Sequence, residues 1–212
     1  MLSAFKNVLV LAPHTDDGEF GCGGTIAKLV ELGATIHYIA FSTCEESVPE
    51  GYPKDILVHE VKKATAVLGV LPQNLHILNY KVRYFNYNRQ EILEDIVKLG
   101  KQIKPDVVFI PSVNDIHQDH STIAMEGLRA FKKTNILSYE LAWNNISFNH
   151  AYFIRLEERH IATKIAALAQ YESQMHRPYS SKRFIESLAL TKGVQIGGEY
   201  AEVFEVVRLI SE

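Results

Sequence analysis

Val8-Leu9-Val10-Leu11-Ala12, then Pro13-His14-Thr15-Asp16-Asp17-Gly18-Glu19-Phe20-Gly21-Cys22-Gly23-Gly24-Thr25, then Ile26-Ala27-Lys28-Leu29-Val30-Glu31-Leu32 follow one another directly near the start of the chain. The first piece is a continuous apolar run of strand length. The last repeats apolar residues at helical spacing, and the middle piece is polar and rich in glycine. A buried strand handing over to a helix through a short loop is the opening unit of a parallel α/β sheet. The loop sets a histidine and two carboxylates at the carboxyl end of that strand, the edge of such a sheet where ligands bind. Ionisable groups crowded there lose solvation and repel one another unless a cation or a substrate uses them.

The same alternation continues outward from this unit. Gly33 closes the helix, residues 35–41 read as a second strand, and a polar loop over 44–53 leads to a helix at about 54–68 ended by Gly69. Residues 75–78 form a short strand candidate. Residues 90–104 form an amphipathic helix with Ile92, Ile96 and Leu99 on one face, and residues 106–111 a buried strand. A helix is expected at 121–132, extended chain at 135–139, a strand at 151–156, a helix at 157–170 and a late strand at 203–208. Residues 180–190 fit neither period. The pattern predicts a single α/β domain over residues 1–212, with a mainly parallel sheet and helices on both faces.

Composition narrows the class. At 212 residues and a formal charge of −3, the chain carries no electrostatic footprint for nucleic acid or an anionic membrane. No apolar run is long enough to span a bilayer, and the first residues lack the apolar core and cleavage site of a signal peptide, so the expectation is a cytoplasmic protein. Cys22 and Cys44 are too few for a disulfide framework or a thiolate zinc site, and Cys22 reads as a small buried residue. A homo-oligomer is compatible with all of this.

A second polar cluster stands about a hundred residues on, where the strand at 106–110 runs into Pro111-Ser112-Val113-Asn114-Asp115-Ile116-His117-Gln118-Asp119-His120. Two strand-end loops of one parallel sheet lie on the same edge, so His14, Asp16 and Asp17 are expected to face His117, Asp119 and His120 across one cleft. Two imidazoles and a carboxylate suit Zn²⁺ and leave a fourth position for water, whose pKa the metal lowers to about 7. Fe²⁺ accepts the same donors. A further carboxylate can act as general base, and a further histidine can hydrogen-bond an oxyanion. Taken singly, each residue has a plainer use: a lone Asp caps the helix, and a lone His is a hydrogen-bonded surface group. Gly21-Cys22-Gly23-Gly24 lacks the spacing of a dinucleotide loop and reads as a tight turn with close helix–strand packing. Two such clusters at equivalent strand ends favour the metal.

His14-Thr15-Asp16-Asp17 with the glycine run behind it resembles the His-Pro-Asp-Asp signature of the PIG-L/LmbE-like zinc-dependent N-deacetylases, and His117-Gln118-Asp119-His120 resembles that family's His-x-Asp-His motif. Weaker similarity extends over most of the chain. The resemblance implies a Rossmann-like three-layer α/β sandwich and removal of an acetyl group from an N-acetylated amino sugar or sugar conjugate. It implies His14, Asp17 and His120 as metal ligands and Asp16 as the base acting on the metal's water. His117 would support the tetrahedral intermediate, and Asp119 would be a carboxylate that orients an imidazole. The chain departs from the pattern at Thr15, in place of proline, and at Gly18, in place of an acidic residue. Ile56-Leu57-Val58-His59 also lacks the arginine with which several sugar deacetylases grip substrate.

Other residues stay open on sequence alone. Arg83, Arg89 and Arg177 are either oxyanion forks or surface arginines. Tyr84-Phe85-Asn86-Tyr87 could stack on a ring or cover apolar surface, and Glu45, Glu46 and His176 are candidates for the cleft. For Trp143, which follows a strand end with Asn144 and Asn145, neither a functional nor a plain role is favoured. Two rivals remain beside the deacetylase: a metal-dependent hydrolase of another amide or acyl group, and a ligand-binding module of the same fold without chemistry.

Overall fold

Alternate residues of the first strand, β1 (Asn7–Ala12), fall into two separate buried clusters. Val8, Val10 and Ala12 belong to one, Leu9 and Leu11 to the other. Successive side chains of a strand point to opposite faces, so β1 is covered on both. The first cluster takes in apolar residues of α1 (Asp17–Glu31), α2 (Ile56–Val67), α5 (Glu158–Leu168) and α6 (Lys182–Val194). The second takes in residues of α3 (Arg89–Ile103) and α4 (Gln118–Ala130). These relations come from a computed structural model that describes residues 2–211.

The remaining strands are β2 (Thr35–Ala40), β3 (Leu75–Ile77), β4 (Val107–Pro111), β5 (Asn135–Tyr139), β6 (Tyr152–Leu156) and β7 (Tyr200–Arg208). They form one seven-stranded sheet in the order β3-β2-β1-β4-β5-β7-β6. Pairing is parallel from β3 through β5, and β7 runs antiparallel to both β5 and β6, so the sheet is mixed. The chain builds outward from β1 through β2 to β3 and then returns to place β4 on the other side of β1. That reversal opens a crevice beyond the carboxyl ends of β1 and β4.

Three elements differ from the sequence expectation. The helix after β1 begins at Asp17, not near Ile26, and takes in the whole glycine run with one kink at Cys22 (φ −145°, ψ 20°). Glycine is a poor helix former, but here it answers a packing need that outweighs propensity. A Cβ on Gly18 would come within 2.5 Å of the Tyr38 ring and one on Gly21 within 2.2 Å of the Tyr139 ring. The close packing is present, and the tight turn is not. Likewise α4 starts at Gln118, which puts Asp119 and His120 in its first turn. The ambiguous segment is α6, whose start is capped by the Ser181 Oγ accepting the Phe184 N–H.

Candidate functional site

The end of β1 and the start of α1 leave only His14, Thr15 and Asp16 beyond Pro13 to turn the chain. The turn is fixed by its own backbone and by buried tyrosines. The His14 N–H donates to Asp17 Oδ2 at 2.8 Å. The Thr15 carbonyl accepts both the Tyr171 hydroxyl at 2.6 Å and the Tyr38 hydroxyl at 3.1 Å. Both tyrosines also bond the carboxyl of Glu19, which is fully buried. Burial raises the Glu19 pKa to about 8 against the pull of the two hydroxyls. The loop entry is therefore pinned on its carbonyl side, although Thr15 leaves it the N–H that a proline would remove.

Three donor atoms converge above this turn. His14 Nδ1 and His120 Nε2 lie 3.1 Å apart, and Asp17 Oδ2 is 3.2 Å from the first and 3.3 Å from the second. The far nitrogen of each ring meets its own carboxylate: His14 Nε2 bonds Asp119 Oδ2 at 3.0 Å, and His120 Nδ1 bonds Asp115 Oδ2 at 2.7 Å. Those bonds keep one ring proton on each far nitrogen, so the two near nitrogens are the atoms that can turn lone pairs to a cation beside the carboxylate oxygen. Such a trio calls for a cation. Tetrahedral zinc at about 2.0–2.1 Å from nitrogen and oxygen spaces its ligand atoms by about 3.3–3.4 Å, close to the spans found here.

The electrostatics agree with that fit. Burial opposes charge on both imidazoles, but Asp17 and Asp119 outweigh it at His14, and Asp17 with Asp115 hold His120 up to about 10. Burial would raise the Asp17 carboxyl, yet the two histidines keep it well below the usual carboxylate range. The pocket favours positive charge at the point where the three donors meet.

The other sequence candidates fall around this centre. Asp16 occupies the cap position of α1 but bonds none of the helix N–H groups, so the plain capping role is absent. Its buried carboxylate lines the cleft instead, with a pKa raised by burial and by Asp17. His117 caps α4, its Nδ1 accepting the Asp119 N–H at 3.2 Å, which leaves Nε2 as the donor. Burial and the two neighbouring histidines lower its pKa to about 4, so the ring is neutral at physiological pH. The donor atoms of His14, His117 and His120 all lie within 4.8 Å of one another. Asp119 does not enter that group; it braces His14 and accepts the Arg83 and Phe85 N–H groups.

Sequence reasoning gave no role to Asp115, which holds His120 through Oδ2 and the His117 N–H through Oδ1 at 2.8 Å. An acidic residue two places before a helix cap was the available signal. It also gave none to Tyr38 and Tyr171. The cleft, of about 240 Å³, is lined by Arg83, Trp143 and Arg177 as well as by the centre. Arg89 is elsewhere, bonded to Glu126 at 2.6 Å. Glu45, Glu46 and His176 do not line the cleft, whereas Cys44 and Ser47 do.

Residues 9–131 match the family model described as PIG-L, GlcNAc-PI de-N-acetylase. The diacetylchitobiose deacetylase of Thermococcus kodakarensis is 24% identical over 93% of this chain and 81% of its own length. A deacetylase of Escherichia coli, YaiS, is 29% identical over 79% of this chain and 91% of its own. The solved N,N'-diacetylchitobiose deacetylase of Pyrococcus horikoshii superposes with a TM-score of 0.80 at 23% identity, covering 96% of this chain and 84% of that one, a likeness of fold.

Proposed function

The chain belongs to the PIG-L family of de-N-acetylases, and from that membership and the donor geometry we propose that it hydrolyses the acetyl–nitrogen bond of an N-acetylated amino sugar or sugar conjugate. The observation that carries the reading is the triangle of His14 Nδ1, Asp17 Oδ2 and His120 Nε2, with sides of 3.1 to 3.3 Å and a carboxylate behind each ring. These three residues would hold the metal, zinc by the chemistry of the set, with Fe²⁺ as the second choice. When bound, a divalent metal acidifies water and polarises the acetyl carbonyl.

The chain's own groups supply the rest. Asp16, buried in the cleft and free of the helix start, takes the proton of the attacking water. His117, neutral and with its Nδ1 engaged by the helix, presents the Nε2 proton to the oxygen where charge develops. Asp119 and Asp115 fix the two ring orientations and raise the basicity of the imidazoles. As the amide bond breaks, the departing amine takes its proton from Asp16 or from His117 Nε2, the two cleft groups placed to carry one.

We read the fold as a Rossmann-like three-layer sandwich in one domain over residues 1–212, supported by the two core clusters on opposite faces of the sheet. Among the described residues no helix is long and apolar enough to cross a membrane, and Cys22 and Cys44 are free, which favours a reducing compartment such as the cytoplasm.

Acetate release from N-acetylglucosamine glycosides, N-acetylated sugar nucleotides and acylated thiol conjugates, measured with metal content, tests the reading. One equivalent of zinc, release from a sugar substrate, loss on chelation and return with added zinc are expected. Release confined to non-sugar amides would move the activity to the rival hydrolase. A protein that binds no metal would leave only a ligand-binding module.

A further inference from the structure

Two cations share the cleft with the donor triangle, and although Asp16 lies close enough to raise the Arg177 pKa against the effect of burial, neither cation is locked in a direct pair. Arg83 and Arg177 both line it, and among the described residues neither forms an ion pair. The Arg177 Nη1 donates to the Tyr179 hydroxyl at 2.6 Å, and the Arg83 Nη2 reaches Ser47 Oγ at 3.4 Å. Arg89 and Arg159, by contrast, pair with carboxylates, Arg89 with Glu126 at 2.6 Å and Arg159 with Glu31 at 2.8 Å. A guanidinium presents five donors in a planar fork, so both cleft arginines keep most of theirs available.

The Arg83 backbone and the Arg177 side chain are held in place, while the Arg83 side chain itself is exposed. Arg83 holds a left-handed backbone, φ 71°, a conformation unfavourable for a side chain of its kind. Its N–H is bonded to Asp119 Oδ2 at 2.6 Å, the oxygen that also holds His14. Strain of this kind persists where the surroundings over-determine it, and here it ties Arg83 to the donor triangle. Arg177 is half-buried, and its partner Tyr179 stacks on Trp143 with ring centroids 3.9 Å apart and planes 8° from parallel. The start of α2 gives the cleft Leu57 and no cation.

We propose that Arg83 and Arg177 hold an oxyanion, a carboxylate or a phosphate, carried by the substrate beside its N-acetyl group. The proposal rests on the deacetylase reading and adds the charge class of the substrate. With Asp17 given to the metal, Asp16 is the cleft carboxylate that an anionic substrate must approach, and Arg177 beside it offsets that charge. Two fork-shaped donors on the same cleft recognise oxyanions by geometry.

The test uses the zinc-loaded protein and three probes: methyl N-acetylglucosaminide, N-acetylglucosamine 1-phosphate and the glycolate glycoside of N-acetylglucosamine. The expected result is a kcat/KM for one charged probe at least about tenfold above the neutral one, and a loss of most of that preference in Arg83→Gln and in Arg177→Gln. Arg→Lys at either position should retain part of the preference. Which charged probe leads tells phosphate from carboxylate. Calorimetric binding of the corresponding free amines repeats the ranking without turnover. Equal kcat/KM and equal affinity for charged and neutral probes overturn the proposal, as do variants that lose both in equal measure. Binding that favours the charged amines with no acetate released from any probe supports the oxyanion grip and overturns the deacetylase reading.

Discussion

Asp119 Oδ2 sits 3.0 Å from His14 Nε2 and accepts the Arg83 N–H at 2.6 Å, so one buried oxygen joins the loop after β1 to the loop before α3. Asp119→Ala removes the partner that fixes the His14 ring and leaves two backbone N–H groups without an acceptor. Partners of this kind are worth about 10–100-fold in metal affinity. Zinc affinity measured against a competing chelator should fall by that order, and Asp119→Asn, which keeps an acceptor oxygen, should lose less. An alanine variant with unaltered affinity would detach Asp119 from the centre.

On the proposed reading, Asp16 separates binding from chemistry. Its carboxylate lies in the cleft but outside the donor triangle and bonds no N–H of the helix it precedes. Asp16→Asn should therefore keep its zinc and its thermal midpoint while turnover falls by about 10²–10⁴. Metal analysis and acetate release on the same preparation check both halves. Near-normal turnover would remove Asp16 from the role of base.

The two strand ends and their acid–histidine clusters were legible because an apolar run followed by ionisable residues violates ordinary core patterning. Less visible was how each residue would be used. Gln118, Asp119 and His120 read as loop, yet His117 caps α4 and draws them into its first turn. Glycines 18, 21, 23 and 24 speak against a helix locally. What they admit is Tyr38, Tyr139 and other side chains from elements far away in sequence. The direction of β7 could not be read either, since a short apolar run has the same period in a parallel and an antiparallel pair. Only the pairing of Tyr139 with Phe204 and of Tyr152 with the same Phe204 places β7 between β5 and β6.

Gly21 tests whether that packing holds the centre. A Cβ there would meet the Tyr139 ring at 2.2 Å, and the Tyr139 hydroxyl is itself bonded to the Leu11 carbonyl at 2.9 Å. The ring cannot retreat without losing that bond. Gly21→Ala should cost about 1–3 kcal/mol in urea unfolding, the range for overpacked cores. Combining it with Tyr139→Leu should cost less than the sum of the two single changes, because the clash is then gone. Strict additivity would mean that α1 shifts freely over the sheet.

Glu31 ends α1 and joins it to α5. Arg159 donates to it through Nη2 at 2.8 Å and Nε at 2.9 Å, and His160 Nε2 lies 2.9 Å away. The Arg159 bonds first, and His160 second, lower its pKa from 4.5 to about 2. A carboxylate depressed in the folded state contributes stability that is fully present above its unfolded pKa and disappears as pH falls toward the folded one. The window is therefore pH 4.5 down to 2. Urea midpoints across that window should fall more steeply for the wild type than for Glu31→Gln, with a modest gap because the pair is open to solvent. About 1 M salt should narrow the gap, since the Debye length is then about 3 Å. Coincident acid limbs for the two proteins would show that this link between α1 and α5 contributes nothing.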